Sequence, residues 1–163
     1  MTDTALQHTA FQGADEYIAA LDTLCLRASN SLVFFENDFD GIGFNSEARY
    51  NALRGFLLGH PNARLQLLAH TPAPLERNCP RMLMLLRQFS HKMSIHQTPP
   101  HLRNLTTPFA VADELHYVRR FHFDDPRGIL ALYDPEGARQ LHSQFNDIWS
   151  ASRPAISANT TGL

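Results

Sequence analysis

From Ala14 onward, apolar residues recur at three- and four-residue steps (Ala14, Tyr17, Ile18, Leu21, Leu24, Cys25, Ala28), which puts them on one face of a helix starting near Gln12. Thr9 with Gln12 offers a cap for its start. Ser29 and Asn30 end it, and the continuous apolar run Ser31–Glu36 predicts a buried strand. The turn formers of NDFDGIGFN follow, with Asp38 and Asp40 beyond the carboxyl end of that strand, where open α/β sheets tend to place ligands. Two acids there suit a cation or a positioned water, and turn geometry accounts for them equally well.

The same alternation continues. Asn45 or Ser46 caps a second helix with Tyr50, Leu53, Phe56 and Leu57 inward, and Gly59 ends it. Ala63–Ala69 alternates as a strand, and the two prolines of HTPAPLERN keep that linker from being helical throughout. A third helix opens at Asn78 and Pro80 with Met82, Leu85, Leu86 and Phe89 inward. Lys92–Gln97 is a short strand and residues 98–108 a loop. Helices alternating with strands predict a partly parallel sheet covered by helices.

After Thr106 the pattern changes. Phe109–Ala112, Leu115–Phe123 and Gly128–Tyr133 are strand candidates in close succession, so hairpins are expected and the sheet should be mixed. Asp134 caps a last helix, with Pro135 at its first position and Ala138, Leu141, Phe145, Ile148 and Trp149 as its buried stripe. The expected organisation is a flexible segment at residues 1–12, one α/β domain over residues 13–152 and a flexible tail at residues 153–163.

Composition narrows the class. With 44% hydrophobic and 18% charged residues the chain reads as globular, no apolar run reaches the ~20 residues of a membrane helix, and residues 1–12 lack the pattern of a secretory leader. A cytoplasmic protein with Cys25 and Cys79 as free thiols, and no membrane association, is expected. A net charge of −2 argues against a general nucleic-acid binder. The charge is uneven: acids dominate residues 1–50, whereas residues 77–127 carry Arg77, Arg81, Arg87, Lys92, Arg103, Arg119, Arg120 and Arg127 with five of the nine histidines. That bias suits an anion-binding patch, and it also suits an ordinary solvated surface.

The stretch TTPFAVADELHYVRRFHF holds the candidate chemistry. In a regular strand His116, Val118, Arg120 and His122 share one face, and Leu115, Tyr117, Arg119 and Phe121 the other. An arginine on each face calls for pairing of Arg119 with Asp113 or Glu114, or for a bulge. An anion pocket built from His116 and Arg120 with His101 and Arg103 is one reading; an edge strand with paired charges is the other. His60 and His70 read as surface residues near turns. No zinc-like cluster, nucleotide-binding glycine pattern or Ser-His-Asp elbow is present, so neither a metal nor a cofactor is expected.

The element order, the strand Phe109–Ala112 ending at Asp113, and the closing DPEGARQLHSQFNDIW resemble one repeat of the phospholipase D-like superfamily over roughly residues 13–152. The resemblance implies an α/β fold with a mixed sheet flanked by helices. It also implies a signature, His-x-Lys then four residues then Asp, whose histidine attacks a phosphodiester. With Asp113 as the acid, Thr106 stands where the histidine belongs and Pro108 where the lysine belongs. A threonine without a base is no activated nucleophile, and proline has no donor to hold phosphate. The Gly-Ser-x-Asn segment that usually follows the motif is also missing, and residues 121–127 read FHFDDPR. The expected function is therefore a non-catalytic binding or regulatory domain that retains an anion (phosphate) site at Arg103, Asp113, His116 and Arg120. The alternatives are a hydrolase or phosphodiesterase using His101, Asp113 or His116, and a structural protein-interaction module. Because two repeats meet in active members of that superfamily, a C2 homodimer is expected.

Overall fold

Ser31–Glu36, the continuous apolar run, lies mid-sheet as strand β2, with five of its six residues buried. The computed structural model describes residues 4–158. Along the chain come β1 (Gln7–Gln12), α1 (Ala14–Arg27), β2, α2 (Glu47–Gly59), β3 (Arg64–Ala69), α3 (Ala73–Asn78), α4 (Pro80–Gln88), β4 (Met93–Gln97), β5 (Phe109–Ala112), β6 (His116–His122), β7 (Asp125–Leu132), α5 (Pro135–Ala151) and β8 (Arg153–Ile156). They form one eight-stranded mixed sheet in the order β1-β7-β6-β5-β2-β3-β4-β8. β2, β3 and β4 run parallel, as helical crossovers require, and the hairpin-linked strands β5, β6 and β7 are antiparallel.

Alternation along the strands splits the core into two layers. Leu32, Phe34, Leu65, Leu67, Ala110 and Val118 pack under α1, α2 and α4. Val33, Phe35, Leu68, Phe109, Val111 and Tyr117 face α5, with Leu102, Leu105 and Phe123 completing that side. The helix caps follow the sequence: Ser46 accepts from Arg49 N, and Asp134 accepts from Gly137 N, at 3.0 and 3.1 Å. The stripe of α1 is buried as expected, although the helix is capped at Gly13 rather than by Thr9 and Gln12. Cys25 and Cys79 are both buried free thiols. No helix among the described residues is long and apolar enough to cross a membrane.

Three expectations about local structure change. The segments expected to be flexible supply both sheet edges, β1 at residues 7–12 and β8 at residues 153–156, because an edge strand needs few apolar residues; residues 1–3 and 159–163 lie outside the described residues. Part of the proline-bearing linker forms the short helix α3, with its prolines confined to the first turn and the preceding cap. In α2 the inward face includes Arg49, which is fully buried. Its Nε donates to Asp22 at 2.7 Å, and its guanidinium lies over the Phe44 ring at 4.6 Å.

Candidate functional site

In the resembled superfamily the chemistry would lie where β5 begins, next to the carboxyl ends of β2 and β3. Phe109 pairs with Phe35, so one step further in that register sets Pro108 beside Glu36. Thr106 and Pro108 alternate onto the face of Ala110, the α1 side. Both are stitched to β6: Arg120 N donates to Pro108 O at 3.1 Å and Phe123 N to Thr106 O at 2.9 Å.

A buried ionic group fills this end of the sheet. Arg120 Nη2 donates to Glu36 Oε1 at 3.1 Å, Nη1 donates to Phe123 O at 3.1 Å, and Tyr17 OH from α1 donates to Glu36 Oε2. The guanidinium also lies over the Tyr17 ring at 4.3 Å. Glu36 is 4% exposed and Arg120 9%. Burial pushes the Glu36 carboxyl up to about 7, against the pull of Arg120 and the Tyr17 hydroxyl, and burial also raises the Tyr17 hydroxyl.

On the opposite face of the same end, His70 is 3% exposed, which corrects its reading as a surface residue. Its Nδ1 lies 2.5 Å from Thr98 Oγ1 and its Nε2 2.7 Å from Leu105 O. The ring meets Phe35 and Phe123 edge-on. Burial lowers its pKa, so the neutral imidazole is the form the fold holds. The sequence signal for His70 was its position one residue past a strand's carboxyl end.

The expected anion pocket does not assemble. β6 runs antiparallel to β5, with Ala112 opposite His116 and Phe109 opposite Arg119. Asp113 and His116 therefore lie at one end of the sheet and Arg120 at the other, about 13 Å apart along four residues of strand. The Asp113 carboxylate accepts from Ser29 N, Asn30 N and Ser31 N at 2.9, 2.7 and 3.0 Å, while Asp113 N donates to Ser31 O. This acid fastens the turn between α1 and β2. His116 is buried, and its Nδ1 accepts from Tyr133 N at 3.0 Å. Burial is the first cause of its lowered pKa. His101 is exposed in a short 3₁₀ helix, and Arg103, also exposed, donates to His70 O at 3.3 Å.

The bulge does not change the faces of the two arginines: Arg119 and Arg120 keep regular register opposite Ile129 and Gly128, and the shift comes only between Arg120 and His122. Each face of β6 carries one arginine, Arg120 paired with Glu36 on the α1 side and Arg119 beside α5 on the other. Among the described residues, Arg119 forms no ion pair with Asp113 or Glu114. Its Nε is buried without a hydrogen-bond partner, and the side chain lines an open cleft of about 230 Å³ with Tyr117, Gly137, Gln140, Leu141 and Gln144. Asp38 Oδ1 accepts from Asp40 N at 3.0 Å, an Asx turn, and Asp40 accepts from Asn78. Among the described residues, no three His, Cys, Asp or Glu side chains gather in a way that could hold a metal ion.

This layout is the phospholipase D-like α/β fold. Nuc from Salmonella typhimurium, a phospholipase D family member, superposes with a TM-score of 0.60 at 11% identity, over 94% of this chain and 99% of that one. NucT from Helicobacter pylori gives 0.63 at 11% identity, over 93% and 100%. The archaeal chromatin protein TrmBL2, whose structure shows a novel mode of DNA binding, gives 0.68 at 12% identity over 91% of this chain; the match spans about half of that protein, 54%. No curated protein matches the sequence. The chain belongs to the family described as a domain of unknown function, DUF7931, whose model matches residues 13–159.

Proposed function

We propose that this chain is a non-catalytic phospholipase D-like domain that works as a binding module for an anionic group such as phosphate. The observation that carries the non-catalytic half is the content of the expected reaction centre: Thr106 and Pro108 at the motif positions, beside a Glu36–Arg120–Tyr17 group in which both Glu36 oxygens accept internal bonds and Arg120 Nη1 and Nη2 donate internally, with Arg120 Nε left unpartnered. The only lysine in the chain, Lys92, is spent elsewhere, with Nζ donating to Leu57 O and His60 O at the end of α2. No side chain there is both nucleophilic and paired with a free base.

For the anion, the support moves from Arg120 to its neighbour. Among the described residues, Arg119 forms no ion pair with a carboxylate, and it lines a cleft with the side chains of Gln140 and Gln144. A cation so placed gains more from an arriving anion than one already neutralised by an acid. Phosphate should raise the melting temperature of the wild type in a concentration-dependent way, and Arg119→Ala should remove most of that shift while Arg120→Met, once allowance is made for its lower baseline, should keep it. Absence of any phosphate-dependent shift, or one unaffected by Arg119→Ala, would refute the anion site.

A further inference from the structure

The sheet has two edges, and they are built differently. β8 is four residues long and carries Arg153 and Pro154, the kind of residues that discourage strand addition. β1 is six residues long and contains no Lys, Arg, Asp, Glu or Pro. In its ladder with β7, Gly13 N continues the hydrogen-bonded series to Pro126 O, so the odd residues of β1 bond inward and the backbone groups of His8, Ala10 and Gln12 point outward. Gln12 N is taken by Glu16 Oε1 at 3.1 Å. His8 and Ala10 are exposed along this edge.

We infer that β1 is the interface for a second copy of this chain, pairing antiparallel with its own counterpart about a two-fold axis at Ala10. In that register Ala10 N–H donates to Ala10 C=O of the second copy, and His8 N–H to Gln12 C=O, each bond made twice by symmetry. The N–H already held by Glu16 needs no new partner. Ala10 is small at the point of closest approach. Beside it, Thr9, Ala19, Ala20 and Thr23 line a shallow groove of about 220 Å³, which leaves room for the two α1 helices on one face of the joined sheet.

Charge and apolar surface are arranged for the same symmetry. Glu16 stands at the Gln12 end of the edge, whereas Arg27, bonded to Tyr133 OH at 3.2 Å, stands at the Gln7 end. An antiparallel pair brings the acidic end of one copy toward the basic end of the other. Leu6 and Phe121, two exposed large apolar side chains, also flank this edge. The register carries Leu6 of the second copy past Gln12, to the cavity of about 490 Å³ that Phe121 lines with Phe11, Arg127 and Ile129. Ala10 lies opposite Ile129 and, across it, level with Arg119, so the axis sits on the outer edge of the sheet with β7 between it and the Glu36–Arg120 group, and this dimer differs from one that would join two reaction centres directly.

Light scattering after gel filtration should give twice the chain mass of 18.4 kDa for the wild type and the single-chain mass for Ala10→Lys, which sets like charges against each other at the axis. Oxidation of Ala10→Cys should give an inter-chain disulfide. Cα atoms of a hydrogen-bonded antiparallel pair lie about 5.5 Å apart, within disulfide reach, and Cys25 and Cys79 are buried. The cross-link decides the matter if Ala10→Lys does not fold. A wild type that is monomeric at every concentration overturns the proposal. So does a dimer that survives Ala10→Lys and is not cross-linked through position 10; that outcome moves the interface and leaves the phosphate test unaffected.

Discussion

Arg120→Met is expected to destabilise the protein by about 3–5 kcal/mol, because it leaves the Glu36 carboxyl buried without its cation while keeping most of the side-chain volume. Replacing both partners, Glu36→Met with Arg120→Met, should recover most of the loss. Recovery should fall short by about 1 kcal/mol, since Tyr17 OH then has no acceptor. The loss should also depend on pH. A carboxyl whose folded pKa is raised from 4.5 to about 7 contributes stability that is full below 4.5 and lost as pH rises through about 7. Removing Arg120, which pulls that value down, raises it further, so the penalty of Arg120→Met should be larger at pH 8 than at pH 5. Denaturant melts at the two pH values check this; an equal and small penalty at both would show that the pair is not a buried lock.

Asp113→Ala is expected to cost about 2–3 kcal/mol, from loss of charge-assisted bonds to three backbone N–H groups. Part of each bond is regained from water, since Ser29 and Asn30 are exposed, which keeps the cost below the sum of three. Asn should be the mildest replacement. It tolerates the left-handed backbone at this position, where φ is 58°, and keeps one acceptor oxygen. If Asp113 instead served a ligand, Asp113→Ala would leave the melting curve unchanged and weaken phosphate binding.

These two residues show where sequence reasoning stopped. Helical stripes, the Ser46 and Asp134 caps and the bounds of Phe109–Ala112 were legible because each depends on local periodicity or turn chemistry. β1 and β8 were not, since an edge strand needs no strong apolar pattern. Nor was the burial of Arg49, which depends on Asp22 and Phe44 arriving from other elements. The separation of His116 from Arg120 was calculable from strand rise alone. The roles of Asp113 and Glu36 were not, because both depend on which strands and turns become neighbours. His70 was misread for the same reason: its partners, Thr98 and Leu105, come from a loop about thirty residues away.

The proposed closure of the sheet end where a phospholipase D-like reaction would occur, by an internal ionic group that leaves no chemistry there, is the feature on which the proposed function stands. Its most direct test is hydrolysis of bis-p-nitrophenyl phosphate with the protein at a concentration comparable to the substrate. No p-nitrophenol release above a buffer control is expected, for the wild type and for Arg120→Met alike. Release that scales with wild-type protein and survives removal of contaminants would contradict it.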